Sequence, residues 1–383
     1  MSFVEKFKLN LINFFKKGDW VIFSCFFTLM IFGLVTMSTY ESGNSIFWRQ
    51  LLLIGISTSL FFVFSFMDMR FLKNSYLVMA LYTFLVTILG LIFVFGHISK
   101  GGARWFNLGS FFLGPSEPMK LVLIILLAKF FSKRHLAIAN IRNILISLVY
   151  LSIPALLVVL QPDLSTAIIL CMIWFGMLLI SGLSKKHITI FILIGLVTAI
   201  LGWNFFLHDY QKKRVLTFIK PSQDLRGSGW NAYQSIIAVG SGGVFGKGVG
   251  YGTQSRLGFL PEHETDFIFA SFLEEWGIFG GLLVFLLLSI LIFNLSQKSM
   301  KANSNFEALF MMGVSIWFIV QSSMNIGMNI GLVPVTGVPL PFMSHGGSHL
   351  LFESIALGIC VGMSRYGRVA HLSKLKNEFL GLE

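Results

Sequence analysis

The amino-acid sequence predicts an all-α polytopic membrane protein. Hydrophobic residues make up 55% of the 383 residues and charged residues only 12%, whereas soluble domains carry roughly 25% charged residues. Several apolar runs of about 20 residues follow one another, and each is long enough to cross a bilayer. The first run, Trp20 to Met37, is longer than the apolar region of a cleavable signal peptide, so it predicts a retained span. We therefore expect residues 1–383 to form a single integral membrane domain.

About ten transmembrane helices are predicted, with one long polar segment between the seventh and the eighth. The spans fall at about 20–38, 46–66, 75–96, 115–132, 144–160, 164–182, 187–207, 266–295, 306–330 and 347–365. The long segment covers residues 208–265. Within it, residues 231–245 are apolar enough to lie on or dip into the membrane but too short to cross it, which predicts an interfacial or re-entrant segment.

The distribution of basic residues predicts the orientation of the chain. With the N-terminus inside, 18 of the 29 lysines and arginines fall on inner segments and four on outer segments, when the long segment is discounted. Both termini are then cytoplasmic, and 208–265 is an extracytoplasmic loop. Because most basic residues flank spans, the net charge of +12 indicates contact with anionic lipid rather than with nucleic acid. The three cysteines lie inside apolar runs, which argues against a zinc site or a disulfide framework.

Three carboxylates alternate around a histidine in the segment 260–270, which reads Leu-Pro-Glu-His-Glu-Thr-Asp-Phe-Ile-Phe-Ala. Asp266 is the last charge before an apolar span, so we expect it where water meets lipid, at the mouth of a cavity between helices. A partly desolvated carboxylate can have a pKa suited to proton transfer. The alternative is an acidic collar at a helix end, with no catalytic role.

Two short motifs predict helix starts. In the motif at 115–120, Ser116 can cap the fourth span, and Glu117 and Lys120 then share one helix face near the outer surface. This pair is either functional or a local ion pair that accompanies the cap. Asp163, after Gln-Pro, is expected to cap the sixth span.

A glycine cluster at 240–248 lies in the long segment. Such a cluster lets backbone N–H groups approach a ligand, usually phosphate. The alternative is a glycine-rich bend at the membrane surface. Further on, the eighth span contains Glu274 and Glu275, which point to different sides of a helix. Because charges inside a span are costly, we expect one of them to pair with a basic residue.

The last outer loop, 334–348, has no charged residue but three prolines and three glycines. It cannot be regular helix. At membrane depth it must be covered by protein or line a wet cavity. The sequence assigns no role to Glu353, which lies one turn into the tenth span.

Taken in order, these motifs resemble the SEDS family (shape, elongation, division and sporulation), and within it the RodA-type elongation branch. The resemblance runs from Asp19 to about Arg368. It rests on Lys-Gly-x-x-Arg-Trp at 100–105, Pro-Ser-Glu-x-x-Lys at 115–120, Gln-Pro-Asp at 161–163, Gly-Ser-Gly-Gly at 240–243, Gly-Thr-Gln-Ser at 252–255, Leu-Pro-Glu-x-x-Thr-Asp-Phe-Ile-Phe-Ala at 260–270 and the run 325–347. The chain departs from the family at Glu264, where His is common, and at Ser165, Leu225 and His345, where Gly, Pro and Tyr are usual.

The resemblance implies a peptidoglycan glycosyltransferase in the bacterial cytoplasmic membrane. Such an enzyme polymerises lipid II, an undecaprenyl-diphosphate-linked disaccharide pentapeptide, into β-1,4 glycan strands during cell-wall elongation. The implied partners are a class B penicillin-binding protein, which cross-links the product, and other proteins of the cell-elongation complex. The alternatives are a lipid II flippase and a non-catalytic membrane scaffold. Because the unusual residues concentrate on the outer face, the sequence favours the polymerase over the flippase.

The implied reaction is an inverting single displacement that releases undecaprenyl diphosphate. It needs a base at the attacking hydroxyl and positive charge at the departing diphosphate. Under the resemblance, Asp266 is the catalytic base. The cations expected to hold diphosphate are Lys120, Arg214, Lys247 and Arg256, and the other expected substrate-binding residues are Arg104, Trp105, Glu117, Glu262, Thr265, Ser344, Gly346, Gly347 and Ser348. A divalent cation, Mg²⁺ or Mn²⁺, could bridge the diphosphate, although no carboxylate cage dedicated to a metal is visible.

Overall fold

Helices account for most of the chain in the computed structural model, which describes residues 19–40, 43–95, 97–99, 102–107, 112–134, 141–183, 185–206, 209–219 and 228–379. The α-helices are α1 (Asp19–Ser38), α2 (Gly43–Phe66), α3 (Ser75–Phe95), α4 (Ser116–Ser132), α5 (Ile141–Leu160), α6 (Leu164–Ile180), α7 (Lys185–Leu201), α8 (Asp209–Ile219), α9 (Ser228–Gly242), α10 (Thr253–Arg256), α11 (Ile268–Met300), α12 (Asn305–Asn329) and α13 (Gly347–Phe379). A 3-10 helix, Met69–Lys73, lies between α2 and α3, and a π-helical turn, Gly202–Phe206, continues α7.

Each of the ten predicted spans coincides with a helix, namely α1 to α7 and α11 to α13. Within the described residues, seven helices are long and apolar enough to cross a membrane: α1, α2, α3, α5, α11, α12 and α13. The other three, α4, α6 and α7, have 17 residues each. At 1.5 Å per residue they measure about 25 Å, a little less than the hydrocarbon core. The helical membrane fold is confirmed, and the number of ten spans stays a prediction.

The loop after α3 contains a small sheet that the sequence analysis did not predict. Its three short antiparallel strands are β1 (His97–Ser99), β2 (Gly102–Asn107) and β3 (Phe112–Leu113), in the order β1-β2-β3. Ile98 pairs with Ala103, and Phe106 pairs with Leu113. Strands of two to six residues are too short to show a clear alternation of apolar and polar positions.

The two predicted helix caps have different outcomes. Asp163 precedes α6, and its side chain accepts a hydrogen bond from the Thr166 N–H at 3.2 Å, so this cap is confirmed. The predicted cap by Ser116 is wrong. Ser116 is the first residue of α4, and Pro115 occupies the N-cap position with no side-chain cap. The proline side chain has no acceptor to offer, so the first turn begins without one.

The long segment between α7 and α11 folds into three helices in its described part: α8, α9 and the short α10. Helix α9 covers most of the predicted interfacial segment and packs along α11. Ser235 on α9 is fully buried, and its hydroxyl donates to the Asn329 carbonyl at 2.8 Å. The segment is therefore packed onto the helix bundle.

Helix α11 contains a break that divides it into two parts. Its 33 residues correspond to about 50 Å, well beyond the roughly 30 Å hydrocarbon core. Gly277 has non-helical φ and ψ of 66° and −167°. Before this glycine, residues 268–277 are enclosed by protein, whereas the large exposed apolar side chains begin at Ile278 and Phe279. The break thus separates an enclosed head from a shaft whose apolar face suits lipid.

The glycine-rich loop after α9 fills this break. The Ile278 N–H donates to the Gly243 carbonyl at 3.1 Å, and the Gly248 N–H donates to the Glu275 carbonyl at 3.0 Å. A Cβ at Gly246 would lie 2.1 Å from the Glu275 oxygen, closer than any side chain allows. These glycines let one backbone approach another, so the contacts support the bend rather than the phosphate-binding interpretation.

Polar contacts hold α1 beside α11 at both ends of the pair. At one end Asp19, which is 2% exposed, forms ion pairs with Lys298 and Arg365. At the other end the Thr39 hydroxyl donates to Glu275 Oε1 at 2.9 Å. The part of α11 between these contacts measures about 35 Å, which matches the thickness of a bilayer.

Candidate functional site

Asp266 lies in the turn before α11. The helix begins at Ile268, so the eighth span predicted from 266 starts two residues later in the structure. The Asp266 carbonyl accepts hydrogen bonds from the side-chain amides of Asn325, at 2.9 Å, and Asn329, at 3.1 Å. Asn329 Oδ1 also accepts the Ala270 N–H at 3.0 Å. Because the first N–H groups of a helix have no partner within it, these amides fix both the helix start and the residue that precedes it.

The uncharged loop after α12 forms the wall opposite this turn. The Ser344 hydroxyl donates to the Thr265 carbonyl at 2.7 Å. Gly337 has a φ of 72°, and a Cβ there would lie 3.3 Å from Asp266 Oδ2. The Asp266 residue itself is partly exposed. A side chain at 337 would therefore crowd a partly exposed carboxylate whose main chain is held in place.

Glu262 organises the turn that carries Asp266. Its φ of 52° lies in the left-handed region, which is uncommon for a residue with a side chain. Its carbonyl accepts the N–H groups of Thr265 and Phe267 at 3.2 and 3.1 Å. The Thr265 hydroxyl donates to Glu262 Oε2 at 3.1 Å. These two residues, both predicted to bind substrate, thus bond to each other and stabilise the turn.

Lys120 lies near the start of α4 and is buried in the bundle, with 1% exposure. Its Nζ lies 2.7 Å from Glu117 Oε2, so the predicted ion pair is confirmed. The same Nζ donates to Gln321 Oε1 at 3.3 Å and lies 5.1 Å from the centre of the Trp317 ring. Contact between Lys120 and a substrate phosphate stays a prediction.

Glu353 joins the same buried network, although the sequence analysis assigned it no role. It is fully buried, and its Oε1 accepts from Gln321 Nε2 at 2.8 Å. Its Oε2 accepts the Phe342 N–H at 3.0 Å. Phe342 has a φ of 64°, an outlier for an aromatic residue. The carboxylate thus holds a strained point of the loop that flanks Asp266. The sequence signal that could have identified Glu353 is the presence of an ionisable residue inside a membrane span.

Three buried amides on α12 were also missed by the sequence analysis. Gln321, Asn325 and Asn329 are four residues apart, so they share one helix face, and all three are fully buried. Gln321 belongs to the Lys120 network, and the two asparagines hold Asp266. A polar residue at every fourth position of an apolar span was a readable signal, because buried polar groups need partners.

The ammonium group of Lys247 already has partners within the protein. Its Nζ lies 2.7 Å from Glu274 Oε1 and donates to the Thr253 hydroxyl at 2.8 Å. The predicted pairing of a span-eight glutamate with a basic residue is therefore confirmed for Glu274. Arg256, at the end of α10, is exposed.

Arg214, on α8, is next to the wall that flanks Asp266. Its Nη1 donates to the Val335 carbonyl at 3.4 Å. It lines a cavity of about 110 Å³ between α8, α9 and the loop after α12, whose other walls are mostly apolar and include Phe218 and Ile236. A guanidinium beside apolar walls is a combination that suits a lipid-linked anion.

The predicted residues at the start of α13 are tied into the fold. Ser348 is 5% exposed, and its hydroxyl accepts the Gly114 N–H at 3.0 Å. Gly346 has a φ of 155°, and a Cβ there would lie 2.5 Å from His349 Cε1. Gly347 is the first residue of the helix. Their contact with substrate stays a prediction.

Two further expectations are not tested by the described residues. Arg104 and Trp105 lie on β2, but their side chains lie outside the described part of the structure. No group of three or more His, Cys, Asp or Glu side chains among the described residues is arranged to hold a metal ion. A bridging divalent cation therefore stays a prediction.

Two side chains near the Asp266 turn have shifted pKa values. Burial raises the pKa of the Tyr40 phenol, which stays protonated and donates to the His263 carbonyl at 3.4 Å. Burial lowers the pKa of His345, and the charge of Arg49 lowers it further. His345 Nδ1 lies 3.0 Å from Gln50 Oε1, which fits a neutral ring that donates its N–H.

These features define a polytopic helical membrane protein in which a helix head and two loops surround a partly exposed aspartate. The chain belongs to the FtsW/RodA/SpoVE family, described as cell cycle protein, whose sequence model matches residues 14–369. The RodA-type resemblance is supported by the peptidoglycan glycosyltransferase MrdB of Escherichia coli K12. That protein is 38% identical over 289 residues, which cover 76% of this chain and 78% of the relative.

Two solved structures share the fold. A chain of a peptidoglycan synthase complex, whose structure concerns the coordination of polymerization and crosslinking, has a TM-score of 0.78 and 27% identity. The rod shape determining protein RodA of Thermus thermophilus has a TM-score of 0.69 and 25% identity. Each alignment covers 91% of this chain and 97% of the other.

Proposed function

We propose that this protein is a peptidoglycan glycosyltransferase that polymerises lipid II into β-1,4 glycan strands, with Asp266 as the catalytic base. One observation carries the proposal: Asp266 is partly exposed beside Gly337, while its carbonyl is held by Asn325 and Asn329. A general base needs a fixed backbone and room for the substrate hydroxyl beside its carboxylate. The activity in the name of the Escherichia coli relative supports the same reaction class.

The proposed step is an inverting single displacement. Asp266 accepts the proton of the acceptor's 4-hydroxyl while that oxygen attacks the anomeric carbon of the donor sugar. The bond between this carbon and the diphosphate oxygen breaks, and its electron pair leaves with undecaprenyl diphosphate. An α-linked donor thereby gives a β-linked glycan. Such a base typically contributes about 100- to 10,000-fold to the rate.

Positive charge at the departing diphosphate is the second requirement. Arg214 is best placed to supply it, because its contact with Val335 brings it to the wall beside Asp266. Lys120 and Lys247 are each paired with a glutamate, so a phosphate would have to displace that partner. A Mg²⁺ or Mn²⁺ ion bound together with the diphosphate would supply further positive charge.

The proposed setting is the outer face of the bacterial cytoplasmic membrane, with both termini in the cytoplasm. The concentration of lysine and arginine on the inner segments supports this orientation. The proposed partner is a class B penicillin-binding protein that cross-links the glycan strands. The similarity to a chain of a peptidoglycan synthase complex supports a partner of this kind.

The proposal is tested with purified protein and lipid II, first alone and then with the partner. We expect glycan strands that grow with time, separated by length on a gel. Absence of strands in both conditions would contradict the proposal. Transbilayer movement of lipid II in liposomes would then indicate a flippase, and neither activity would indicate a scaffold.

A further inference from the structure

Glu274 is fully buried on the head of α11, about two turns beyond Asp266. A buried carboxylate is costly unless it is paired and hydrogen-bonded. Lys247 supplies the charge at 2.7 Å. This pairing explains why the acid is tolerated, but the remaining contacts of Glu274 do more than neutralise it.

The other donors to Glu274 all come from the segment 253–255. The N–H of Gln254 donates to Oε1 at 2.9 Å, and the N–H of Ser255 donates to Oε2 at 3.2 Å. The hydroxyls of Thr253 and Ser255 donate at 3.1 and 3.2 Å. Hydrogen bonds to a carboxylate are about twice as strong as neutral ones, so this one side chain fastens the segment to α11.

A chain of hydrogen bonds continues from this segment to the Asp266 turn. The Gln254 carbonyl accepts the Leu260 N–H at 3.0 Å, and Leu260 is fully buried. The Leu260 carbonyl in turn contacts His263 Nδ1 at 2.9 Å. Asp266 follows three residues later. The turn is therefore held directly by the asparagines of α12 and indirectly, through this chain of contacts, by Glu274.

We propose that Glu274 is a positioning residue, which fixes the Asp266 turn at its place on α11 by fastening the segment 253–255. This inference rests on the proposed glycosyltransferase function, because the effect of Glu274 on turnover passes through Asp266. A displacement of a catalytic group by about 1 Å can cost about 100-fold in rate.

Glu275 provides a matched control one residue away. It is 2% exposed, and its Oε1 accepts from Thr39 and from the Gly250 N–H at 2.9 and 3.0 Å. Its Oε2 has no hydrogen-bond partner among the described residues. Glu275 thus matches Glu274 in charge, burial and helix, but its hydrogen bonds among the described residues go to Thr39 and Gly250 and not to the segment 253–255.

The test compares Glu274→Gln with Glu275→Gln in purified, folded protein. The glutamine amide at 274 would present N–H groups to donors, so part of the fastening is lost. We expect Glu274→Gln to lower kcat by about 20-fold or more with KM changed less than about twofold, and Glu275→Gln to lower kcat less than about threefold. We also expect faster hydrogen exchange at 253–267 in Glu274→Gln.

The double variant Thr253→Val with Ser255→Ala keeps the buried charge pair and removes two hydroxyl donors. This double variant replaces Glu274→Gln in the test if Glu274→Gln does not fold. We expect it to lower kcat and to speed hydrogen exchange at 253–267, by less than Glu274→Gln does. Equal losses of kcat per folded molecule for the two glutamine variants, or unchanged exchange at 253–267, would overturn the proposal. If the unmodified protein makes no glycan, the proposed function fails, and the exchange data alone decide whether Glu274 fastens the turn.

Discussion

Asp266 lies in the turn before α11 and Glu274 lies on the head of α11, and the protein holds the two acids in different ways. Asp266 is fixed through its main chain, whose carbonyl accepts two amide hydrogen bonds, and it is partly exposed. Glu274 is fixed through its side chain, which is fully buried and accepts from Lys247 and the segment 253–255.

Under the proposed function, the difference separates a catalytic acid from a structural one. A carboxylate whose oxygens accept several strong bonds cannot take up a proton without losing them. A carboxylate on a fixed backbone, with exposed surface and a glycine beside it, can meet a substrate hydroxyl. Substitutions that alter one side-chain environment at a time therefore test whether the two acids differ in this way.

The largest effect is expected from Lys120→Met, which tests whether buried carboxylates in this protein need their cation. It leaves Glu117 in the core without its paired charge. Removing one partner of a buried pair typically costs about 3–5 kcal/mol. We expect a clear fall in melting temperature in detergent, partly restored by the double variant Lys120→Met with Glu117→Gln. A melting temperature equal to that of the unmodified protein would contradict the assigned network.

Asn329→Leu tests the main-chain support of Asp266. It removes the amide that bonds both the Asp266 carbonyl and the Ala270 N–H. We expect a stability loss of about 1–3 kcal/mol and a fall of about 100-fold in turnover, because the base is displaced. Ser322→Ala is the control on the same helix, since the Ser322 hydroxyl has no hydrogen-bond partner in the described residues. Similar turnover for both variants would contradict the role of Asn329 in supporting Asp266.

His345→Tyr, which introduces the residue usual in the family, has the smallest expected effect. Burial and the charge of Arg49 lower the pKa of His345 below its ordinary value of 6.5, so folding favours the neutral ring. As pH falls below that value, the unfolded chain takes up a proton first. This contribution to stability is therefore full above about pH 6.5 and decreases on acidification, by at most about 1.4 kcal/mol per pH unit.

The measurement is the melting temperature of both proteins between about pH 7.5 and 5.5. We expect the unmodified protein to lose more stability over this range than the tyrosine variant. Parallel curves would show that the buried ring does not control the acid sensitivity. Since His345 also donates its backbone N–H to the Glu264 carbonyl at 2.8 Å, which the substitution retains, the comparison isolates the ring.

Local patterns were enough to predict the helices and the acid that precedes α11. Apolar runs of the right length locate the spans, and Glu117 and Lys120 are three residues apart, close enough to pair on any helix. The contiguous segment 260–270 likewise presents Asp266 and its neighbours together. These predictions depend only on residues that are near each other in the sequence.

The supports of the site were not predictable in the same way, because distant parts of the chain form them. Asn325 lies 59 residues from the Asp266 carbonyl that it holds, and Gln321 lies 201 residues from Lys120. From the sequence alone, the glycine cluster could be a phosphate-binding loop or a bend. The structure shows that it packs against the backbone at the break near Gly277, which is far away in the sequence. A single sequence contains the polar residues but not the pairing between them.

The assignment of Asp266 as the base is tested by Asp266→Asn in the lipid II polymerisation assay. The substitution keeps the size of the side chain and the carbonyl that Asn325 and Asn329 hold, but removes the base. We expect an unchanged melting temperature and glycan formation reduced by at least about 100-fold. A variant that folds normally and polymerises lipid II at a near-normal rate would contradict the assignment of Asp266 as the base.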